Sequence, residues 1–262
     1  MRTGLRRAGM AALLFSMVPL FAATVWAQGL TLPAGASLQV SGGRLDLAGG
    51  DASIAGAFAL GAGELRGVGA WRIAAGGSAD FGSGIASLTG DWENRGIFTA
   101  GSSRVELRDG ASPSSALLGT SQFANLSLVS LSGKRYRFES GFTQRVAAQL
   151  QIQGQGPAIQ VDVTVPGNLA YLNLLAGGTQ AIANVGVSDV YATGQHLAPM
   201  LTNQGGNGNA QGWFGNGVVV TPPTPVPALG WPMLLVLTGG MLWAAAQARR
   251  SGRHQGAEHA AW

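Results

Sequence analysis

The chain has 262 residues, of which 42 are glycine, 11% are charged and none is cysteine. That balance excludes a coiled coil, a charge-rich disordered chain, a disulfide framework and any thiolate metal site or cysteine nucleophile. The formal net charge of +4 belongs to the ends, since between Gln28 and Val226 there are 10 Lys+Arg against 11 Asp+Glu, which leaves the body no electrostatic reason to bind nucleic acid.

In chain order, the first segment is basic, with Arg2, Arg6 and Arg7, then apolar, and it closes on Val25-Trp26-Ala27. Small residues at Val25 and Ala27 fit signal-peptidase cleavage after Ala27, so residues 1–27 are expected to be an export signal, helical until removed. From Gly29 the chain breaks into short β-like pieces split by glycine, which supplies the positive-φ positions that tight turns need. Ala-Gly pairs begin at Ala34, Ala48, Ala62, Ala75 and Ala100, with steps of 14, 14, 13 and 25 residues. Steps of that size suit β-arches stacked in a solenoid or a meander of hairpins, with the rung shape left open.

Within LTGDWENRGIFTAGSSRVELRDG and the following LLGTSQFANLSLV, Ile97 and Thr99 alternate with Phe98, and Val105 and Leu107 share a face opposite Arg104, Glu106 and Arg108. Asn94 ahead of Arg95-Gly96 marks a turn. Trp92, Asn94, Gly96, Phe98, Ala100, Gly101, Val105 and Leu107, then Phe123, Asn125, Leu126 and Leu128, carry a pattern that resembles the repeats of bacterial adhesin-like surface proteins. The resemblance implies a non-catalytic β-helical or β-sandwich repeat.

Later segments keep the alternation. Arg135, Arg137 and Glu139 face one way and Tyr136 and Phe138 the other. Gln149, Gln151 and Gln153 lie opposite Leu150 and Ile152, and Ile159, Val161, Val163 and Val165 share a face. Residues 170–194 are expected to hold two or three strands. Trp213-Phe214, inside a Gly/Asn/Gln loop, is expected to cap the last hydrophobic layer. The body, residues 28–220, is thus an all-β domain, a β-solenoid or β-helix-like fold or a β-sandwich repeat.

Candidate chemistry is sparse. His196 is the body's one histidine, in a loop-like setting and with no G-x-S-x-G elbow anywhere, so it is expected at the surface; His254 and His259 lie in the tail. No metal or cofactor is expected. Asp91 and Glu93, two apart around Trp92, are the one pair that would suit a carbohydrate-active enzyme, with the indole stacking a sugar; Glu64, Asp80 and Glu106 recur without such a pattern. Gly205 opens GGNGNA, a loop with asparagine where a calcium-binding repeat carries aspartate. Residues 134–138, KRYRF, form the one basic-aromatic cluster. It alternates as a solvated strand face, and an extracellular acidic polysaccharide is the partner it would suit.

The last part is the most informative. Residues 221–227 hold four prolines and form a stiff spacer. Residues 228–248 then run 21 positions without a charge, roughly 31 Å as a helix, the hydrocarbon thickness of a bilayer. Arg249, Arg250 and Arg253 follow in a basic tail, residues 249–262. By the positive-inside rule that tail is cytoplasmic and the body lies across the membrane, in agreement with the export signal. Val226, Pro227, Ala228, Leu229 and Trp231, then the helix and its arginine stop, resemble the IPTL-CTERM/PEP-CTERM class of bacterial sorting signals, with alanine where that class carries threonine and one residue fewer before the tryptophan. The resemblance implies processing by a membrane transpeptidase of the exosortase type. The expected partners are therefore the secretion translocon, signal peptidase, that transpeptidase and membrane lipid. The expected role is structural or adhesive at the cell envelope or in an extracellular matrix; a carbohydrate-active enzyme and a permanently anchored periplasmic protein are the alternatives.

Overall fold

A computed structural model describes residues 25–26 and 29–215, with side chains from 29 onward. The expected spacer, apolar helix, sorting residues Val226 to Trp231 and the arginine stop lie outside the described residues, as does the export signal apart from the backbone of Val25 and Trp26.

Among the described residues every regular element is a strand, and no helix is long and apolar enough to cross a membrane. After β1 (Val25–Trp26) the chain repeats a three-strand coil. The first four coils are β2 (Leu30–Leu32), β3 (Ser37–Gln39) and β4 (Arg44–Asp46); β5 (Ala52–Ile54), β6 (Ala57–Ala59) and β7 (Glu64–Val68); β8 (Trp71–Ile73), β9 (Ser78–Asp80) and β10 (Ile85–Leu88); and β11 (Trp92–Asn94), β12 (Ile97–Thr99) and β13 (Arg104–Leu107). The next two are β14 (Ser114–Gly119) with β15 (Ser121–Ser130), and β16 (Arg135–Phe138) with β17 (Thr143–Gly154). The last are β18 (Ile159–Val163), β19 (Ala170–Leu174) and β20 (Thr179–Ala183), then β21 (Val185–Val187) and β22 (Val190–Ala192). Residues 170–194 thus hold four strands rather than two or three.

Every pairing is between successive coils and is parallel. Parallel neighbours cannot be joined by tight hairpins, so the meander and the sandwich are both ruled out, and the body is a parallel β-solenoid of about eight turns. The first wall is β2-β5-β8-β11-β14-β16-β18-β21, the second starts as β3-β6-β9-β12, and the third carries β4-β7-β10-β13. In β15 and β17 the second and third walls merge into one long strand. β17 carries one extra residue opposite the Phe123–Asn125 step of β15, and it pairs with β19 through Thr143–Val146 and with β20 through Gln149–Gln153.

On the first wall Leu32 lies opposite Ile54, Ile54 opposite Ile73, and Ile73 opposite Asn94, so these coils are 22, 19 and 21 residues long. The Ala-Gly steps of 13 and 14 are therefore two sides of a three-sided coil, and the step of 25 is four sides. Each short strand sends alternate side chains inward. Leu45, Leu65, Ala86, Val105, Leu126 and Leu150 form one inner column of the third wall. Larger rings fill the middle: Trp71 stacks on Trp92 with centroids 6.5 Å apart, and Phe58, Phe81, Phe98 and Phe123 pack edge-on or tilted around them. Aromatic pairs at such spacings add to the apolar area they bury. At the far end Trp213 and Phe214 are buried, and Trp213 bridges to Leu197, which is the expected cap.

Candidate functional site

The outer faces of the walls are ladders of charge. On the first wall Arg72 meets Asp51 at 2.9 Å and Glu93 at 3.8 Å, and Arg95 meets Glu93 at 3.1 Å and Glu139 at 2.9 Å. On the third wall Glu64 takes Arg44 and Arg66, while Glu106 takes Arg104 and Arg108. Exposed pairs like these are each worth about 0–1 kcal/mol, so their effect is to set register and solubility rather than to hold the coils.

Asp91 and Glu93 share the outer face, as their spacing implies, but Trp92 between them points the other way. Its side chain is wholly buried and its indole Nε1 donates to Ser121 Oγ at 2.9 Å. The expectation that it stacks a sugar is corrected: an apolar ring on a strand whose neighbours are charged goes to the core. Asp91 Oδ1 accepts the Ala116 amide at 2.8 Å, binding one coil to the next, and Glu93 is held by two arginines. Asp80 Oδ1 accepts the Gly82 amide at 2.9 Å. Asn94 turns inward, its Oδ1 accepting the Gly96 amide to make the expected turn and its Nδ2 donating to the Thr120 carbonyl. Among the described residues no group of three His, Cys, Asp or Glu could hold a metal ion.

His196 is half-buried rather than at the surface, with its Nε2 against the Phe214 carbonyl; an acceptor there requires that nitrogen to carry the proton. The ring is thereby part of the terminal cap. The loop opening at Gly205 is stitched to the coil beside it: Ser188 Oγ accepts the Asn207 amide at 2.8 Å, and Asn209 Nδ2 donates to Asp189 Oδ1 at 2.6 Å.

The basic-aromatic cluster divides. Tyr136 and Phe138 are core residues. Lys134 lies not on the solvated face but in the interior, 2% exposed, with its ammonium donating to the carbonyls of Thr89 and Arg108. The coil corners place two carbonyls from earlier coils beneath it, and a long aliphatic stem is able to reach them while packing in the interior. Burial pushes its pKa down, with Asp109 and Asp91 opposing. Only Arg135 and Arg137 reach solvent.

These two arginines face a residue that spacing along the chain does not bring to mind. Parallel pairing sets Arg137 directly opposite Asp162, and Arg135 reaches across the diagonal to place Nη1 at 2.6 Å from Asp162 Oδ2. Asp162 Oδ1 is buried and has no hydrogen-bond partner among the described residues. Burial raises the carboxyl above its ordinary range, with Arg135 and Arg137 pulling it back. Two surface hollows adjoin at this carboxylate, one of about 430 Å³ walled by Ser114, Arg137 and Thr164, the other of about 130 Å³ walled by Ser188, Asp189 and Asn207. Asp162 is invisible to a linear search because its meeting with Arg137 needs the coil length, here 25 residues. No protein-family model, curated protein or solved structure matches the chain.

Proposed function

We propose that this chain is a non-enzymatic, exported protein of the bacterial cell envelope, with a structural or adhesive role at the surface or in an extracellular matrix. The observation that carries the reading is the uncharged run at 228–248, stopped by Arg249, Arg250 and Arg253 and matched by an export signal at the other end. The solenoid suits such a role. Its charge-laddered outer walls offer long polar surfaces, and its core is closed at one end by Trp213 and Phe214. The translocon and signal peptidase bring the body across the membrane, and an exosortase-like transpeptidase acts at Val226, Pro227, Ala228, Leu229 and Trp231.

Mass spectrometry of the mature protein, fractionated by compartment, tests this. The expected product begins at Gln28, lies in the envelope or medium, and lacks a peptide from 228–262. Recovery of that peptide in the membrane fraction replaces sorting with permanent anchoring. A full-length, uncleaved chain in the cytosol overturns the proposal.

A further inference from the structure

We propose that the paired hollow around Arg135, Arg137 and Asp162 on the first wall binds an acidic glycan, with Arg137 taking a sugar carboxylate. Charge is the first argument. Among the described residues Arg137 and Arg145 are the two arginines without a carboxylate partner in an ion pair. Arg145 stands on a strand away from these hollows, whereas Arg137 forms part of the larger one. In that hollow two guanidiniums face one carboxylate, and the Asp189 carboxylate of the smaller hollow already accepts from the Gly167 amide and the Asn209 side chain, so Arg137 is the charge left without a partner. A guanidinium presents a planar fork of donors that meets a carboxylate in two hydrogen bonds.

Geometry is the second argument. Asp162 fixes Arg135, which leaves Arg137 free to meet a ligand. Asp162 Oδ1 lacks a donor, and a buried acceptor left unpaired is costly. Beside Pro113, Val163 and Pro166 the remaining walls carry hydroxyls from Ser114, Thr164 and Ser188, amides from Gln160 and Asn207, and the Asp189 carboxylate. Those groups suit a polyhydroxylated chain better than the apolar side chains of a peptide. The two hollows adjoin across successive coils, so an extended polymer fills both where a small anion fills one.

The inference gives the adhesive reading a ligand, and the two fail separately: binding is measured on purified protein, whereas export is measured by fractionation. The assay is titration calorimetry of the mature protein with a short oligogalacturonate, a neutral oligogalactoside of equal length, and an oligoglutamate. Oligogalacturonate is expected to bind and the neutral chain not to. Arg137→Gln is expected to weaken binding roughly tenfold or more, the loss of hydrogen bonds to a charged group, with an unchanged circular dichroism spectrum. Arg145→Gln, an exposed arginine elsewhere, is expected to leave binding unaltered. Absence of binding, equal binding of the neutral chain, or an unweakened Arg137→Gln overturns the site. Equal binding of oligoglutamate overturns the glycan and assigns the surface to an acidic peptide.

Discussion

Gly82 gives the sharpest test of why this chain is so rich in glycine. It sits at the corner between β9 and β10 with φ 51°, and an added Cβ would lie 2.6 Å from the carbonyl oxygen of Gly61, the equivalent corner one coil earlier. Gly101 repeats the arrangement over Gly82 on the next coil. Two costs follow for Gly82→Ala: about 1–2 kcal/mol for an L residue in the left-handed region and about 1–3 kcal/mol for a methyl forced against backbone that cannot rotate away. Gly76 is the control. Its φ is 83°, yet a Cβ there meets nothing within 4 Å. Gly76→Ala therefore carries the first cost alone, and both variants share the small gain from a stiffer unfolded chain. Urea unfolding with a common slope is expected to place Gly82→Ala about 1–3 kcal/mol below Gly76→Ala. Equal losses would refute the argument that close stacking of coils, rather than turn conformation, demands glycine at this corner.

Other residues make separate predictions. Trp92→Ala is expected to cost about 3–5 kcal/mol in the same assay, and Ser121→Ala, which strands the buried indole N–H, about 1–3 kcal/mol. Lys134→Met leaves the Arg108 carbonyl without this donor and the Thr89 carbonyl with the Ser115 hydroxyl alone, but relieves a desolvated ammonium; a net loss of about 1–3 kcal/mol is expected, because the lost bonds are the larger effect. The Asp51 carboxyl is held below its ordinary range, first by the Ala70 amide and then by the Arg72 guanidinium. A depressed folded-state pKa contributes stability above the unfolded value, lost as the pH falls through the folded one. Acid titration followed by circular dichroism is therefore expected to show a shallower loss below about pH 4 for Asp51→Asn than for the parent.

The sequence makes the fold class legible but not the coil. Alternation in 135–138 and 149–153 places Tyr136, Phe138, Leu150 and Ile152 inside, and they are there. Ala-Gly punctuation finds real corners at Ala34, Ala48, Ala62, Ala75 and Ala100, yet its step misses the period, because alternate corners of a three-sided coil carry the signal. Composition cannot say that Lys134 is interior: a cation beside two arginines and two aromatics looks solvated until two carbonyls from other coils are brought beneath it. The same holds for Trp92, whose carboxylate neighbours suggest a site while its own burial makes it core. Arg137 and Asp162 become a pair only after the register is known, so the candidate site is the part least visible along the chain.

The first coil offers a test that joins fold to processing. β1 pairs with β4 through Val25 opposite Leu45 and Trp26 opposite Asp46. Directly after β4 the Leu47 amide donates to the Arg66 carbonyl, toward β7. Successive amides on a strand point to opposite sides, so the Asp46 amide faces β1, with the Val25 carbonyl in register to accept it. The proposed cleavage after Ala27 removes that acceptor and turns β4 into an open edge, where amides exchange readily. Hydrogen exchange by NMR compares the mature chain with a cleavage-blocked Ala27→Leu chain. The Asp46 amide is expected to exchange at least roughly tenfold faster in the mature chain, while Leu47 stays protected. Equal protection of Asp46 in both, or a mature chain that retains Val25, would sink the link between export processing and the open end of the solenoid.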